Sequence, residues 1–219
     1  MKLRWIALFS AIATSAGFAH AAGVGLRAGT MGVGGDVGWD VAPSLGARVG
    51  YSAFTYKRHE DSTDVRYKSK LNLSNLSGLL DWSPAGAFRL TGGIVLNDNK
   101  YTLTGEPTGT TFTVNGHTYQ ASDVGSFGGT VRPGRRAAPY LGIGYGNVSR
   151  PGVNFYFDLG VIFQGSPKAS INANCGAALS AGQCAQLQSD AAEEARRLDD
   201  KLSKYKYYPV ANVGITIGF

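Results

Sequence analysis

The last thirteen residues of the chain alternate between two kinds of side chain. The odd positions from Tyr207 to Phe219 are apolar or aromatic, and the even positions between them are small or polar apart from Val210. A repeat of two residues is the period of a β-strand, on which successive side chains point to opposite faces. The pattern therefore predicts a strand over 207–219 with one apolar and one polar face.

The same alternation recurs seven times earlier in the chain, with turn signals between the repeats. Valine, leucine and aromatic residues occupy one face, and glycine, arginine and aspartate occupy the other. On one predicted strand the apolar parity slips between Leu73 and Leu76, which predicts a β-bulge near Ser74 and Asn75. The seven other predicted strands lie at about 23–30, 33–42, 45–51, 65–82, 88–96, 138–147 and 153–163.

The connections between the predicted strands form two sets, short turns at one end and longer loops at the other. An even number of strands with this arrangement predicts an all-β fold, an eight-stranded antiparallel up-and-down transmembrane β-barrel. A soluble eight-stranded ligand carrier needs the reverse pattern, with an apolar interior. The predicted turns are 42–44, 83–87 and 148–152, and the predicted external loops are 29–32, 58–64, 105–137 and 165–206.

The loop at 105–137 contains a hairpin signal. Two alternating segments, 111–114 and 117–120, flank the dipeptide Asn115-Gly116. This dipeptide is typical of a two-residue turn between antiparallel strands, so a small β-hairpin is predicted within the loop.

The loop at 165–206 predicts a disulfide followed by a helix. Cys175 and Cys184 are nine residues apart, and an exported chain meets oxidising conditions that favour their pairing. Ser180 and Gln183 match a capping box, and an apolar stripe at helical spacing then predicts a helix over about 181–204. Three positions are open for this helix: across the barrel mouth, against the hairpin of the preceding loop, or against a partner.

Residues 1–22 have the features of a signal peptide. A short basic region and an apolar stretch precede Ala19-His20-Ala21, which matches a cleavage site. We therefore expect export, cleavage near Ala21, and one mature domain at 23–219. No later apolar run approaches the roughly 20 residues of a membrane helix, which excludes a helical inner-membrane protein and leaves a β-barrel open.

The closing strand, which ends on an aromatic residue, resembles the last strand of bacterial outer-membrane β-barrels, an insertion signal for the barrel-assembly machinery. With its eight alternating segments, the mature chain resembles the small outer-membrane proteins of the OmpA, OmpX and OmpW kind, in the porin-like superfamily. The resemblance implies a Gram-negative outer membrane, with its lipid and lipopolysaccharide as partners. The helical fourth loop departs from the plainest members. The residues that carry the insertion signal are Tyr207, Val213, Ile215, Ile217 and Phe219.

Composition and charge narrow the function classes. The net charge of +6 is small, and no basic stripe with interleaved aromatic residues is present, so nucleic acid is not an expected partner. Glycine accounts for 31 of 219 residues, about twice ordinary usage. Many of these glycines fall on the predicted inner face, where a narrow barrel leaves little room.

Seven charged residues also fall on the predicted inner face. Eight strands enclose a space that side chains nearly fill, and an unpaired charge there costs several kcal/mol. We therefore expect an ion-pair network that closes the lumen, and a structural or surface-interaction role. A narrow porin-like channel for small solutes is the alternative. The seven residues are Arg27, Asp36, Asp40, Arg48, Asp81, Arg89 and Asp158.

Basic residues collect where predicted strands leave the membrane. Lipopolysaccharide presents phosphates at this level, and arginine binds phosphate through bidentate hydrogen bonds. A contact with lipopolysaccharide is the specific hypothesis, and solubilising charge on exposed loops is the alternative. The residues are Lys57, Arg58, Arg66, Lys68, Lys70, Arg132, Arg135 and Arg136.

Residues suited to catalysis are sparse. Beyond the signal peptide only His59 and His117 remain. The run His59-Glu60-Asp61-Ser62 gathers side chains suited to catalysis in one loop, but such a run is more typical of solvated surface, and His117 has no serine immediately paired with it. The histidine-x-serine signature of a lipid A deacylase is absent, which leaves a lipid-modifying enzyme as the last alternative. The two cysteines lack the CxxC spacing of redox and metal sites. We expect no enzyme activity, and no metal or cofactor.

Overall fold

The computed structural model describes residues 21–61, 65–107, 111–120, 124–176 and 179–219. The predicted signal peptide lies outside these residues except for Ala21 and Ala22. Within them, the strands are β1 (Ala22–Gly29), β2 (Gly32–Ala42), β3 (Leu45–Asp61), β4 (Val65–Ala85), β5 (Phe88–Asn97), β6 (Lys100–Pro107), β7 (Thr111–Val114), β8 (His117–Gln120), β9 (Val124–Arg132), β10 (Ala137–Tyr145), β11 (Gly152–Ile162), β12 (Lys168–Cys175) and β13 (Tyr208–Gly218), and the helix is α1 (Ala181–Leu202).

Eight of these strands pair in a closed antiparallel ring. The order runs from β1 through β2, β3, β4, β5, β10 and β11 to β13, which pairs again with β1. These are the eight strands that the alternation predicts, so that prediction is confirmed. We call the end with the β2–β3, β4–β5 and β10–β11 connections the turn end, and the opposite end the loop end.

The predicted bulge at Ser74 and Asn75 is wrong. The pairing of β3 with β4 is uninterrupted from Leu45–Trp82 to Asp61–Arg66, and the register shift on β4 lies instead between Trp82 and Ala85, opposite β5. The apolar side chains of β4 change from one face to the other because the surroundings of the strand change, and not because its backbone is bulged. The face of β4 that points into the ring lines a crevice where the strand extends beyond the ring. Leu71 and Leu73 lie in this crevice with Tyr101 and Tyr208.

The sheet continues beyond the ring at the loop end. β6 continues the pairing of β5 with β4 in the same register. The pairing of β4 with β5 ends at Asn75–Asn97, and the pairing of β4 with β6 begins at Asn72–Lys100. β9 then pairs with β6, and β12 with β9. We call β3, β4, β6, β9 and β12 beyond the ring the outer sheet. The sequence analysis placed β9 and β12 in loops, so it missed this sheet.

The predicted hairpin is confirmed as β7 and β8. Thr111 pairs with Gln120, and Val114 with His117, across the turn at Asn115 and Gly116. Both turn residues have positive φ, 49° and 82°, as the two-residue hairpin turn requires.

The predicted helix and disulfide are also confirmed. The side chain of Ser180 accepts a hydrogen bond from the backbone N–H of Gln183, whose own side chain accepts from the Ser180 N–H, so the capping box is complete. The Cys175–Cys184 disulfide joins the end of β12 to the first turn of α1. The helix packs mainly on β12, a position outside the three that the sequence left open, and it also contacts the hairpin through β7. Within the described residues, no helix has the length and apolar character needed to cross a membrane.

Candidate functional site

The ring reverses the burial expected of a protein in water. Its outward side chains are large, apolar and exposed, whereas arginine and aspartate side chains on its inner face are buried. The alternation of each strand produces both faces at once, because neighbouring residues point in opposite directions. Exposed outward residues include Val24, Leu26, Val37, Tyr51, Leu80, Ile94, Leu141, Ile143, Phe155 and Phe157.

Four charged residues form an alternating cluster inside the ring. Arg48 Nη1 donates to Asp158 Oδ2 at 2.7 Å, and Arg48 Nε lies 3.1 Å from Asp81 Oδ2. Arg89 repeats the arrangement, with 2.8 Å to Asp158 and 3.3 Å to Asp81. Thr91 Oγ1 donates to Asp81 at 2.6 Å. Each carboxylate therefore lies between two guanidinium groups, in a region where no residue of the four is more than 6% exposed.

A second ion pair lies beside this cluster. Arg27 Nη1 is 3.0 Å from Asp36 Oδ1, and the hydroxyl of Tyr156 donates to Asp36 Oδ2. The guanidinium groups of Arg48 and Arg89 lie over the Tyr156 ring, 5.3 and 5.4 Å from its centroid. Tyr156 thus connects the pair to the cluster. Together, Arg27, Asp36, Arg48, Asp81, Arg89, Asp158, Thr91 and Tyr156 form what we call the charged layer.

Glycines of the inner face make room for the charged layer. A Cβ atom added at Gly50 would collide with the carboxylate of Asp36, and one at Gly214 would collide with the ring of Tyr156. At Gly144, a Cβ would lie 2.6 Å from Asp158 Oδ1 and 2.9 Å from Arg89 Nη2. The glycine content noted in the sequence therefore has a steric role at these positions.

Asp40 does not join the ion pairs. It lies at the turn end, half-buried, and accepts a hydrogen bond from the hydroxyl of Ser149. The structure therefore brings together six of the seven residues predicted for the lumen. Thr91 and Tyr156 also belong to this group. The prediction of the network considered only charged side chains and therefore left out these two hydroxyl groups.

The β10–β11 connection narrows the turn end. Residues 146–151 turn into the ring instead of away from it, and Val148 and Ser149 are buried. The carbonyl groups of Val148 and Arg150 come so close to Gly23 and Gly218 that a side chain at either glycine would clash. The side-chain oxygen of Asn147 accepts from Ser149 N at 2.8 Å and from Arg150 N at 3.0 Å, which holds the bend. We call 146–151 the turn plug.

An apolar layer lies on the other side of the charged layer. On β4, β5 and β11, the apolar residues Leu79, Val95 and Ile162 are nearer the loop end than the charged residues of the same strand. Val95 and Ile162 are fully buried. The cluster consists of Met31, Leu79, Val95, Ala138, Tyr140, Ile162 and Val210.

Asp190 fastens the hairpin to the helix. Its carboxylate accepts from Tyr119 at 2.5 Å, Asn115 at 3.2 Å and Gln186 at 3.2 Å, and it lies 2.9 Å from His117 Nδ1. The bond from Tyr119, followed by those from the three other residues, lowers the pKa of Asp190 to about 2 against the opposing effect of burial. Burial and the same bond raise the pKa of Tyr119 to about 12.

The two histidines lie apart in the structure. His117 belongs to the Asp190 cluster, in which the described partners include no serine, and His59 is exposed on β3. Among the described residues, no three His, Cys, Asp or Glu side chains are arranged to hold a metal ion.

The basic residues predicted to contact lipopolysaccharide lie in two places. Lys57 and Lys70 face each other across β3 and β4, with Arg58, Arg66 and Lys68 on the same pair of strands. Arg132, Arg135 and Arg136 lie at the end of β9 and in the turn before β10. Arg136 binds Asp98 through two hydrogen bonds of 2.7 and 2.9 Å, and lowers the pKa of that carboxyl group.

The residues of the predicted insertion signal lie along β13 and its flanks. Val213, Ile215 and Ile217 are exposed on the outward face of the ring, and Tyr207 and Phe219 are exposed immediately before and after the strand. The placement shows a continuous apolar face on the closing strand.

Ring and interior together define a fold, an eight-stranded antiparallel ring with an apolar outer face and a charged interior, and solved structures share this fold. The chain is similar to CarO of Acinetobacter baumannii, an outer-membrane protein with an eight-stranded barrel, at 24% identity and a TM-score of 0.58, over 90% of this chain and 97% of CarO. For CarO2 of the same organism the values are 21%, 0.57, 90% and 98%.

A more distant likeness is to a major outer membrane protein of Thermus thermophilus, at 16% identity and a TM-score of 0.42, over 91% of this chain and all of the other. No protein-family model and no curated protein matches the chain. The comparisons therefore establish the fold that this chain shares with CarO.

Proposed function

We propose that the chain is a transmembrane β-barrel of a Gram-negative outer membrane, with a closed lumen and a structural or surface-interaction role. The observation that carries the proposal is the reversed burial around one ring: exposed apolar side chains outside, buried ion pairs inside. Apolar surface in water costs about 25 cal/mol per Å². Against acyl chains the same surface is favourable, and the ring leaves no strand edge unpaired.

Three successive layers support the closed lumen. The turn plug narrows the turn end, the charged layer lies beyond it, and the apolar cluster lies nearest the loop end. From the cavity at the turn end, a solute would have to separate Arg48 from Asp158 and then pass through the apolar cluster that contains Val95 and Ile162. Separating buried ion pairs costs several kcal/mol each, so spontaneous passage through all three layers is strongly disfavoured.

A closed interior leaves the surface as the place of function. The outer sheet, the hairpin and α1 form one connected surface, since α1 packs on β12 and Asp190 binds the hairpin. If the loop end faces the cell exterior, as the predicted external loops require, this surface is the part of the chain that other molecules meet. Lipopolysaccharide contact through the basic residues belongs to this role.

A narrow channel is the second candidate, and one observation favours it. A polar cavity of about 240 Å³ opens at the turn end and is lined by Asp40, Ser149, Asp81 and Arg89. It stops at the charged layer. A channel would therefore require Arg48 and Arg89 to leave their carboxylates.

Two measurements on the mature chain test the two parts of the proposal separately. A closed ring in a membrane protein predicts that the chain needs detergent and that its gel migration changes on heating; solubility without detergent would contradict the membrane assignment. A closed lumen predicts no swelling of liposomes that contain the chain in small sugars or amino acids. Swelling would contradict closure while leaving the membrane assignment in place.

A further inference from the structure

The outward wall of β1, β2 and β3 carries a groove of about 850 Å³. Pairing places Gly35 directly between Leu26 of β1 and Tyr51 of β3. The groove exists because Gly35 has no side chain where both neighbours have large ones. Its other apolar walls are Val24, Val37, Val49, Leu76, Val153, Ile215 and Ile217.

The strand faces that form this groove continue beyond the ring without interruption. The register of β3 with β4 is unbroken, so alternate residues stay on the outward face along the whole length of both strands. From Tyr51 and Leu76 the outward rows change from apolar to polar and then to cationic. The successive pairs are Ala53–Ser74, Thr55–Asn72, Lys57–Lys70 and His59–Lys68.

Lys57 and Lys70 are directly opposite each other and both are exposed. Like charges in this position destabilise a pair of strands, and an anion bound between them would remove the repulsion. Lys68 and Arg66 follow on the same face. We call Lys57, Lys70, Lys68 and Arg66 the cationic ladder.

The distance of the cationic ladder from the membrane indicates which kind of anionic lipid it can bind. Six residues separate Tyr51 from Lys57, which is about 20 Å along a strand, and about 15 Å along the membrane normal at a barrel tilt of about 40°. The headgroup layer of a phospholipid bilayer is only about 5–7 Å thick on each side. The lysine side chains can bend toward the membrane, but the cationic ladder still lies beyond the headgroup layer. It is therefore placed to bind phosphates that are carried on sugars outside that layer.

We propose that this wall is a binding site for one lipopolysaccharide molecule, with an acyl chain in the groove over Gly35 and sugar-borne phosphates on the cationic ladder. The inference rests on the proposed function, because it requires the ring to lie in the outer leaflet of the membrane. It assigns the lipopolysaccharide contact to the wall formed by β3 and β4, where Lys57 and Lys70 face each other.

The test is a titration of fluorescently labelled lipopolysaccharide against the mature chain in detergent micelles, followed by anisotropy. Replacing Lys57 and Lys70 by serine removes the facing charges, and we expect binding about tenfold weaker. Lys201→Ser with Lys206→Ser is the matched control, because both lysines are exposed away from this wall, and it should bind like the wild type. Dephosphorylated lipopolysaccharide should bind the wild type as weakly as the intact lipid binds the ladder variant.

The groove has its own pair of variants. Gly35→Val fills the groove and should weaken binding, whereas Gly92→Val adds the same side chain on another part of the outward wall, where its Cβ meets Leu141 at 3.6 Å, and should not. Equal binding by the ladder variant and its control would overturn the proposal. So would a phosphatidylglycerol probe bound as tightly as lipopolysaccharide, since that would indicate a general anionic-lipid surface. Heat-dependent gel migration of each variant shows whether the barrel itself remains, so loss of the site is distinguishable from failure of the proposed function.

Discussion

At the scale of single residues, Asp158 makes the two shortest ion pairs of the charged layer. It accepts from Arg48 and from Arg89, so one carboxylate balances two buried guanidinium groups. Asp81 already lies between the same two guanidinium groups, so no other carboxylate of the cluster is available to replace Asp158. The stability of the ring interior therefore depends on the charge of Asp158 more than on its size.

Asp158→Asn tests this dependence with almost no change in shape. We expect the free energy of unfolding in detergent to fall by about 3–5 kcal/mol, because two buried arginines keep only Asp81 of the two carboxylates that they share. Urea titration followed by tryptophan fluorescence measures it. Asp98→Asn, which removes an exposed partner of Arg136, should leave the midpoint nearly unchanged. Equal midpoints for the two variants would show that the charged layer contributes no more than a surface pair.

The inner-face glycines lead to a second prediction. Gly50→Ala places a methyl group against the carboxylate of Asp36 and should destabilise the chain by about 1–3 kcal/mol. Gly78→Ala adds the same group where nothing lies within 4 Å, and should cost little. The same urea titration compares them. Equal losses of stability in the two variants would contradict the steric explanation of the glycine content.

At the scale of elements, the disulfide and the helix form a separate unit on the outer sheet. The backbone N–H of Ala169 on β12 donates to Asp199 of α1 at 2.6 Å, and Cys175–Cys184 fixes the start of the helix. None of these contacts involves the ring. The helix should therefore loosen without disturbing the eight strands.

Replacing Cys175 and Cys184 by serine tests that independence. A closed loop of this length contributes about 2–3 kcal/mol by the chain-entropy estimate. We expect faster tryptic cleavage between 175 and 205, with heat-dependent gel migration unchanged. Loss of the gel shift would show that the helix is needed to close the ring.

Asp190 makes the attachment of the hairpin sensitive to acid. Its pKa is about 2 in the folded chain against an ordinary value of 3.8, so its stabilising effect is complete above about pH 4 and is lost as the pH falls towards 2. Pepsin cleavage in the 111–120 hairpin should therefore increase between pH 4 and pH 2. The Asp190→Asn variant should be cleaved readily at both pH values. If its cleavage depended on pH as that of the wild type does, Asp190 would be excluded as the cause of the acid sensitivity.

The elements also show how far alternation predicts the fold. All eight ring strands, the hairpin and the helix follow from local periods, because the faces of each strand keep a constant environment within the ring and the hairpin and helix each follow a regular local pattern. β12 carries the same signal, with Ala169, Ile171 and Ala173 alternating with polar residues, but a period of two does not reveal that the strand lies beyond the ring. The wrong prediction of a bulge on β4 has the same cause. The apolar pattern changes between Leu73 and Leu76 because the surroundings of the strand change there, and the sequence does not show which neighbouring strand is responsible.

At the scale of the whole molecule, closure comes from three kinds of layer. The charges could be predicted, since arginine and aspartate among inward glycines have nowhere else to pair. The turn plug could not, because Asn147, Val148 and Ser149 read as an ordinary turn and only the glycines opposite them reveal the inward bend. The apolar cluster escaped prediction as well, because residues such as Val95 and Ile162 take inward positions that were expected to be small or polar.

Single-channel recording in a planar lipid bilayer tests closure most directly. Purified mature chain, inserted at the same protein-to-lipid ratio as a large-pore porin used as the reference, should give no stable open steps while the reference conducts. Heat-dependent gel migration of the same sample shows that the ring is folded. Sustained steps of porin size from the folded chain would mean that Arg48, Asp81, Arg89 and Asp158 do not hold the lumen shut.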